Sequence, residues 1–390
     1  VAYRGDILTA PSEMGAWGWV GCRLRPADLP GPPEAAPLLE RAWLAERAAP
    51  LPVRMELRFE SGGRPGEPLT ATLLGQVHSA DAAAAPGAAG SLGERLLDLP
   101  SHVVAEPLDA SGLRAALAPE PLAAAVQRYG GAAAAVAAGG LGLVEIRRLP
   151  ASAPMTRPDS ASPIGVAFEP LAAQPASWEP VWTELAARDR PTVLGVCLEP
   201  YPISPAFAAA LRQLHDDYER LTHPLRANPL FGRDLPPEPF ARRAVPLYRA
   251  ALARYTHRAF RARISLAAAG PPPLELAGLV ARTMSRTPGA LAAREPVPAE
   301  LDAAWADLAG LGRTWLEATY RLGVPRPLSQ LERVLSDLLD PDEATAVFRL
   351  PAEAPEGPRR FATARPGGGA WAPAAPGPPA GADPGRPDDF

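Results

Sequence analysis

Lysine is missing from this chain: all 39 basic residues among the 390 are arginine. A composition heavy in Ala, Arg, Gly and Pro is what GC-rich codon usage produces, so the cause is bland. The chemical consequence is firm. A Walker A loop needs a lysine on the β- and γ-phosphates, and Schiff-base enzymes need one as nucleophile. Neither chemistry is carried out in the usual way by these residues alone, and a Ser-x-x-Lys catalytic pair is excluded with them.

Cysteine is almost as scarce. Cys22 and Cys197 lie far apart in no metal or redox spacing, which fits small buried thiols in a reducing compartment. Of the five histidines, His215 and His223 bracket HDDYERLTH together with Asp216, Asp217 and Glu219. Eight residues turn the two rings roughly 80° apart on a helix, and a metal site needs at least three convergent ligands, so a solvated helix face is expected. His78, His102 and His257 are isolated. Long apolar runs are lacking too: Gly130 to Val144 is alanine and glycine, too short and too weakly apolar to span a bilayer. Arg4 and Asp6 interrupt the start, and no apolar signal-peptide core follows. These features predict a cytoplasmic protein with no membrane span. A net charge of -4 provides no global basic field for nucleic acid or anionic lipid. No Gly-x-Ser-x-Gly elbow occurs, and Gly139-Gly140-Leu141-Gly142 precedes a strand-like segment, the reverse of a dinucleotide fingerprint.

What the sequence has in excess is proline, 51 of 390 residues or about 13% against an ordinary ~5%. Much of it punctuates the chain between elements, as in Leu29-Pro30-Gly31-Pro32-Pro33 and Gly270-Pro271-Pro272-Pro273. The clearest local pattern is Val53-Arg54-Met55-Glu56-Leu57-Arg58-Phe59-Glu60, whose unbroken alternation predicts a strand with one buried face. A turn at 61–66 and a second strand from Leu69 to Val77 complete a hairpin, followed by a helix over 81–97 and a strand over 102–108. A second set of elements starts at Gly142: strands over 142–149 and 164–168, a helix near Trp182, and the continuously apolar strand Thr192 to Leu198, as in a strand buried on both faces. An amphipathic helix over Phe207 to Leu221, a helix over 245–258, the alternating strand Phe260 to Leu266 and a helix over 274–286 follow.

Leu301, Trp305, Leu308, Trp315 and Leu322 predict one long apolar helical face. Ser329 with Glu332, and Asp340 with Glu343, are capping boxes for two further helices, the second with Pro341 at its first position. Beyond Glu353 the periodicity is gone and disorder is expected. The fold class is therefore α+β: mixed sheets with packed helices, a helical subdomain and a disordered tail. The divisions are drawn at 1–140, 141–290, 291–352 and 353–390.

One stretch bears on nucleic acid. Arg254, Arg258, Arg261 and Arg263 fall close together with Tyr248, Tyr255 and Phe260 interleaved, the composition of a single-strand-binding surface. The strand's alternation equally assigns Arg261 and Arg263 to an outer solvent face.

Taken in order, these elements resemble the N-terminal region of HerA/VirB4-like P-loop ATPases, the DNA-translocase and conjugation-type motors. The hairpin around VRMELRF, the EIRRLP segment with the Trp182 helix and TVLGVCLEPYPIS, and above all LLDPDEATAVFRLP carry the likeness, over roughly residues 15 to 355. That last segment is similar to the one closing this region before the ATPase domain: Pro341, Glu343, Ala344, Leu350 and Pro351 match, and Arg349 stands where the family often has histidine. The resemblance implies a non-catalytic accessory or assembly module that works by protein–protein docking in DNA translocation or transfer. Its partner would be a P-loop ATPase domain or subunit, which would hold the ATP and Mg that this chain does not, with self-association as a further expectation. Trp17, Trp19 and Trp305 are candidate docking anchors. The alternative is a stand-alone enzyme with a site of carboxylates and arginines that meet only in three dimensions.

Overall fold

The alternation at Val53–Glu60 does form a strand, but both of its faces are covered. The computed structural model describes residues 2–27, 36–49, 51–171, 177–227, 232–285, 287, 289–321, 323–352 and 360–361. In it β1 (Leu8–Ser12) and β2 (Gly15–Pro26) make one hairpin, and β3 (Val53–Gly62) and β4 (Thr70–Ser79) make another, with α1 (Ala36–Arg47) between them. Next come α2 (Ala85–Leu97), β5 (Val103–Pro107) and three short helices, α3 (Ala110–Leu117), α4 (Glu120–Tyr129) and α5 (Ala132–Ala137). The middle of the chain gives β6 (Gly142–Arg148), β7 (Pro150–Pro154), β8 (Ile164–Phe168), α6 (Glu179–Ala186), β9 (Pro191–Pro202), α7 (Pro205–Leu221), α8 (Pro239–Arg254), β10 (Arg258–Ala268) and α9 (Leu274–Met284). Last are β11 (Leu291–Arg294), α10 (Leu301–Gly310), α11 (Glu317–Tyr320), α12 (Gln330–Asp337), β12 (Leu338–Leu339) and α13 (Pro341–Val347).

The class is α+β. One ten-stranded sheet runs β1-β2-β4-β3-β9-β10-β6-β11, with β5 on β2 and β12 on β10, while β7 and β8 form a small sheet of their own. The β3–β9 ladder joins strands of the 1–140 and 141–290 stretches, and β11 of the 291–352 stretch lies on β6, so the main sheet passes through all three. The apolar run over 192–198 sits at its centre, between β3 and β10.

Register separates the faces by chemistry. Met55, Leu57 and Phe59 stand beside Leu198, Val196 and Leu194, which neighbour Ala262, Ile264 and Leu266, giving an apolar face packed under α2, α6, α9 and α13. The other face carries Glu56 and Arg58, Cys197 and Glu199, Arg261 and Arg263, Glu145 and Arg147. Most of these side chains are buried, because α10, α11 and the loop between them lie over that face. Space is tight there: a Cβ on Gly195 would come within 2.8 Å of Glu56 Oε1.

Several local expectations are corrected. The single apolar helix drawn through Leu301 to Leu322 is broken, because Leu311 takes a left-handed φ of 57° and ends α10; Trp315 lies in the following loop, and Leu322 is outside the described residues. The helix expected over 245–258 begins earlier, capped by Glu238, and accommodates Pro246 internally. Gly139-Gly140-Leu141-Gly142 serves packing: a Cβ on Gly142 would meet the backbone of Pro272 at 2.4 Å. The Leu29–Pro33 proline run, Arg286 and nearly all of 353–390 lie outside the described residues. Within that last stretch, however, Arg360 and Phe361 are built into the fold. The Leu69 amide donates to the Arg360 carbonyl at 2.7 Å, and the Phe361 ring is 1% exposed against Phe59 and Trp182.

Candidate functional site

Both capping boxes form as read. Ser329 accepts from the Glu332 amide and Glu332 returns to the Ser329 amide; Asp340 and Glu343 do the same at the head of α13. Between the two helices β12 pairs with β10, Leu339 opposite Phe260 and Leu338 opposite Arg261. That short ladder brings the signature segment and the arginine stretch into one site.

Glu343 is its centre. The side chain has no exposure, and Oε1 accepts from the Leu171 amide at 2.8 Å, Arg254 at 3.0 Å and Arg148 at 3.3 Å. Oε2 completes the capping box on the Asp340 amide at 3.1 Å and lies 3.0 Å from the Tyr255 hydroxyl, which is also 3.0 Å from the Leu338 carbonyl. Burial, then the adjacent Glu343 charge, pushes the Asp340 carboxyl up to about 6. Ala344 and Leu350 are fully buried and Pro351 is buried; Phe348 stacks on Trp43 with ring centres 6.1 Å apart. Arg349, at the family's histidine position, pairs with the buried Glu40 of α1 at 2.9 Å, and Glu40 also meets His102 at 3.3 Å.

One turn earlier, Asp337 gathers three guanidiniums. Arg261 binds it through two nitrogens, Arg147 donates at 2.8 Å and Arg313 at 3.4 Å. Burial raises the Asp337 pKa, but the three arginines outweigh it and leave the carboxyl below its ordinary value. Deeper in the sheet Glu56 bridges Arg58 at 2.6 Å and Arg263 at 2.8 Å, and Arg58 also donates to the carbonyls of Ala116, Leu117 and Leu308.

The arginine reading is therefore corrected. Arg261 and Arg263 are 9% and 1% exposed and ion-paired inside, neither a solvent face nor a nucleic-acid surface. The cause is the cover over 301–321, which turns an outer face into an inner one. Only Arg254, partly exposed, and Arg258, which donates to the Ala45 carbonyl at 3.3 Å, reach the surface. They do so beside an open groove of about 530 Å³ lined by Leu38, Arg41, Ala42 and Ala45 of α1, Ala253 and Arg254 of α8, and Asp340–Asp342. The first four recur at helical spacing. Leu38 is 68% exposed, and Arg41 pairs with Asp342 across the rim. Of the candidate anchors, Trp17 lies edge-on to His78 under Arg54, Trp19 packs beside Leu74 and Leu311, and Trp305 packs with Leu122 and Leu143, so none lines the groove.

His223 lies just past the end of α7, and His215 within the helix has closer company than a solvated face. Its Nδ1 lies 3.0 Å from Asp216 and 3.8 Å from Glu219, and the three ligand atoms fall within 4.8 Å of one another. Glu219 also takes Arg249 at 3.4 Å, and His215 Nε2 is buried without a partner. A cation on Nδ1 would leave a buried N–H unsatisfied, where ligating histidines normally donate that proton to an acceptor.

Both thiols are buried, which pushes each up to about 12. Native protein at pH 8 should leave Cys22 and Cys197 unlabelled by iodoacetamide, and denatured protein should take two labels, as intact mass will read.

The residues missed in the sequence are the acids and arginines that complete these networks: Asp337, Glu199, Arg313, Arg147 and Arg148. A signal was present in RMELRFE, EIRR and RARIS, three strands with charge at every second position and both signs represented. Compared with known protein-family models and with curated proteins, the chain matches none.

Proposed function

We propose that this chain is a non-catalytic docking module of a HerA/VirB4-like motor, working in the cytoplasm on DNA translocation or transfer. The groove between α1, the end of α8 and the head of α13 receives a P-loop ATPase domain or subunit. One observation carries the reading: the segment most like the family's closing signature is seated by the buried Glu343 hub, and its head lines the one side of an open groove that also exposes Leu38. A rigid helix end beside an exposed apolar side chain is what a docking surface needs. Arg254 lines the same groove and Arg258 bonds the Ala45 carbonyl on its wall, and both are suited to meeting acidic groups of the partner. ATP and Mg belong to that partner, which supplies the lysine this chain lacks.

Four arginine-bound carboxylates, three of them buried, favour this reading over a stand-alone enzyme. Glu56, Glu343, Asp337 and Glu199 are each held by two or three arginines, so they serve as counter-ions within the fold and are poorly placed to move protons for a substrate. Light scattering of the purified chain, alone and mixed with a P-loop ATPase encoded beside it, tests the proposal. A stable co-complex or ring-sized assembly is expected; a monomer that ignores the ATPase would refute it.

A further inference from the structure

Phe59 of β3, Trp178 and Trp182 form an aromatic socket, with ring centres 5.8 to 6.3 Å apart. Its walls are fastened by bonds of their own. β3 is paired on both sides, by β4 and β9. The Trp178 indole donates to the Ala346 carbonyl of α13 at 3.0 Å, and the Gly66 amide ties the turn after β3 to the end of α6 through the Ala186 carbonyl at 3.3 Å. None of these bonds involves Arg360 or Phe361.

Those two residues meet the socket in three ways. The Leu69 amide, just ahead of β4, donates to the Arg360 carbonyl at 2.7 Å, and Leu69 and Phe361 form a parallel bridge. The Arg360 guanidinium donates to the Glu179 carboxylate at 2.8 Å and to the Thr183 hydroxyl at 3.0 Å, both on α6. The Phe361 ring enters the socket, 6.0 Å from Phe59 and edge-on to Trp182 at 5.3 Å. Strand-addition recognition of peptides divides the work in the same way: a main-chain bond holds the backbone, and pockets for the side chains select the sequence. The fit is incomplete in one respect. Trp182 Nε1 is buried with no partner among the described residues, so the wall keeps a donor that Arg360 and Phe361 do not use.

We propose that this socket is a peptide-binding site for an extended Arg-aromatic pair, and that Arg360-Phe361 is its resident ligand, exchangeable with the same sequence carried by a second copy of the chain. The site shares no lining residue with the α1–α8–α13 groove, so the two stand or fall separately. The resident holds the advantage of being tethered, which gives it a high effective concentration at the socket.

The experiment uses a fluorescein-labelled peptide of residues 356–365, EGPRRFATAR, and the full chain with Phe361→Ala, which empties the socket. Anisotropy should show saturable binding. Affinity should be at least about tenfold lower for the wild-type chain, whose resident competes. It should fall at least about tenfold for a peptide carrying Phe361→Ala, which keeps every charge and loses the anchor. Equal binding by the two chains or by the two peptides overturns the proposal, as does no binding to a folded Phe361→Ala chain. Where that variant fails to fold, a protease recognition sequence in place of residues 353–357, outside the described residues, decides. After cleavage the C-terminal fragment should co-elute with the body on gel filtration and be released by excess peptide. Loss of the fragment on cleavage, unfolding of the body, or a fragment that excess peptide does not displace each overturns the proposal.

Discussion

Replacing Asp337 with alanine should cost about 3–5 kcal/mol of stability, the usual penalty for breaking a buried ion pair by removing one partner. The expectation sits at the high end because one carboxylate serves Arg147, Arg261 and Arg313 together, and removing it leaves three guanidiniums near one another, two of them buried. Asp337→Asn keeps an acceptor and loses the charge, so it should fall between wild type and alanine. Urea denaturation midpoints measure both. A pH dependence accompanies the wild-type contribution. The Asp337 carboxyl lies below its ordinary value, so its stabilisation is complete above pH ~4 and is lost as pH falls through the depressed folded-state value. An Asp337→Ala protein as stable as wild type would show that the charged face of the sheet is not buried as described.

The second large effect concerns the last described residue, Phe361. Phe361→Ala should destabilise by about 3–5 kcal/mol, the range for emptying a buried aromatic site. Its ring lies against Phe59 at 6.0 Å and edge-on to Trp182 at 5.3 Å, in the main core. Neighbouring Arg360 fastens the same short stretch to α6 through Glu179 at 2.8 Å and Thr183 at 3.0 Å. Arg360→Ala breaks an ion pair whose Glu179 side is half exposed and should cost less than Phe361→Ala, about 1 kcal/mol. Thermal or urea unfolding of the two variants compares them, and equal small losses would mean that Phe361 does not occupy this core position.

How far the sequence disclosed the fold depends on how local each signal was. The two capping boxes were legible because each is settled within four residues, and β9 was legible because an unbroken apolar run has to be covered on both faces. Alternation in β3 and β10 correctly separated their faces. It could not say whether the charged face meets water, since the cover comes from 301–321, far along the chain from Glu56 and Arg58. The break at Leu311 was missed although glycines flank it: Gly310 and Gly312 are the usual marks of a helix end, and the positive φ falls on the leucine between them. Phe361 was masked by its proline- and glycine-rich surroundings, which carry no periodicity to point at a single aromatic anchor.

The candidate site was legible in its pieces and not in its assembly. Glu343 was read as a capping residue and Arg254 as a surface cation, and the structure joins them at 3.0 Å. The short β12–β10 ladder makes that meeting, and a two-residue strand has too little pattern to be seen in advance.

The central claim is that the α1–α8–α13 groove receives a P-loop ATPase, and a binding isotherm between the full chain and that ATPase tests it most directly. Leu38→Asp alters a side chain that is 68% exposed, so the fold should keep its unfolding midpoint while the groove gains a charge. The account predicts saturable binding by the wild-type chain, weakened at least tenfold in Leu38→Asp, the effect of losing about 1.4 kcal/mol at a contact. Equal affinity of the two would contradict the groove as the docking surface, and no binding by either would contradict the module itself.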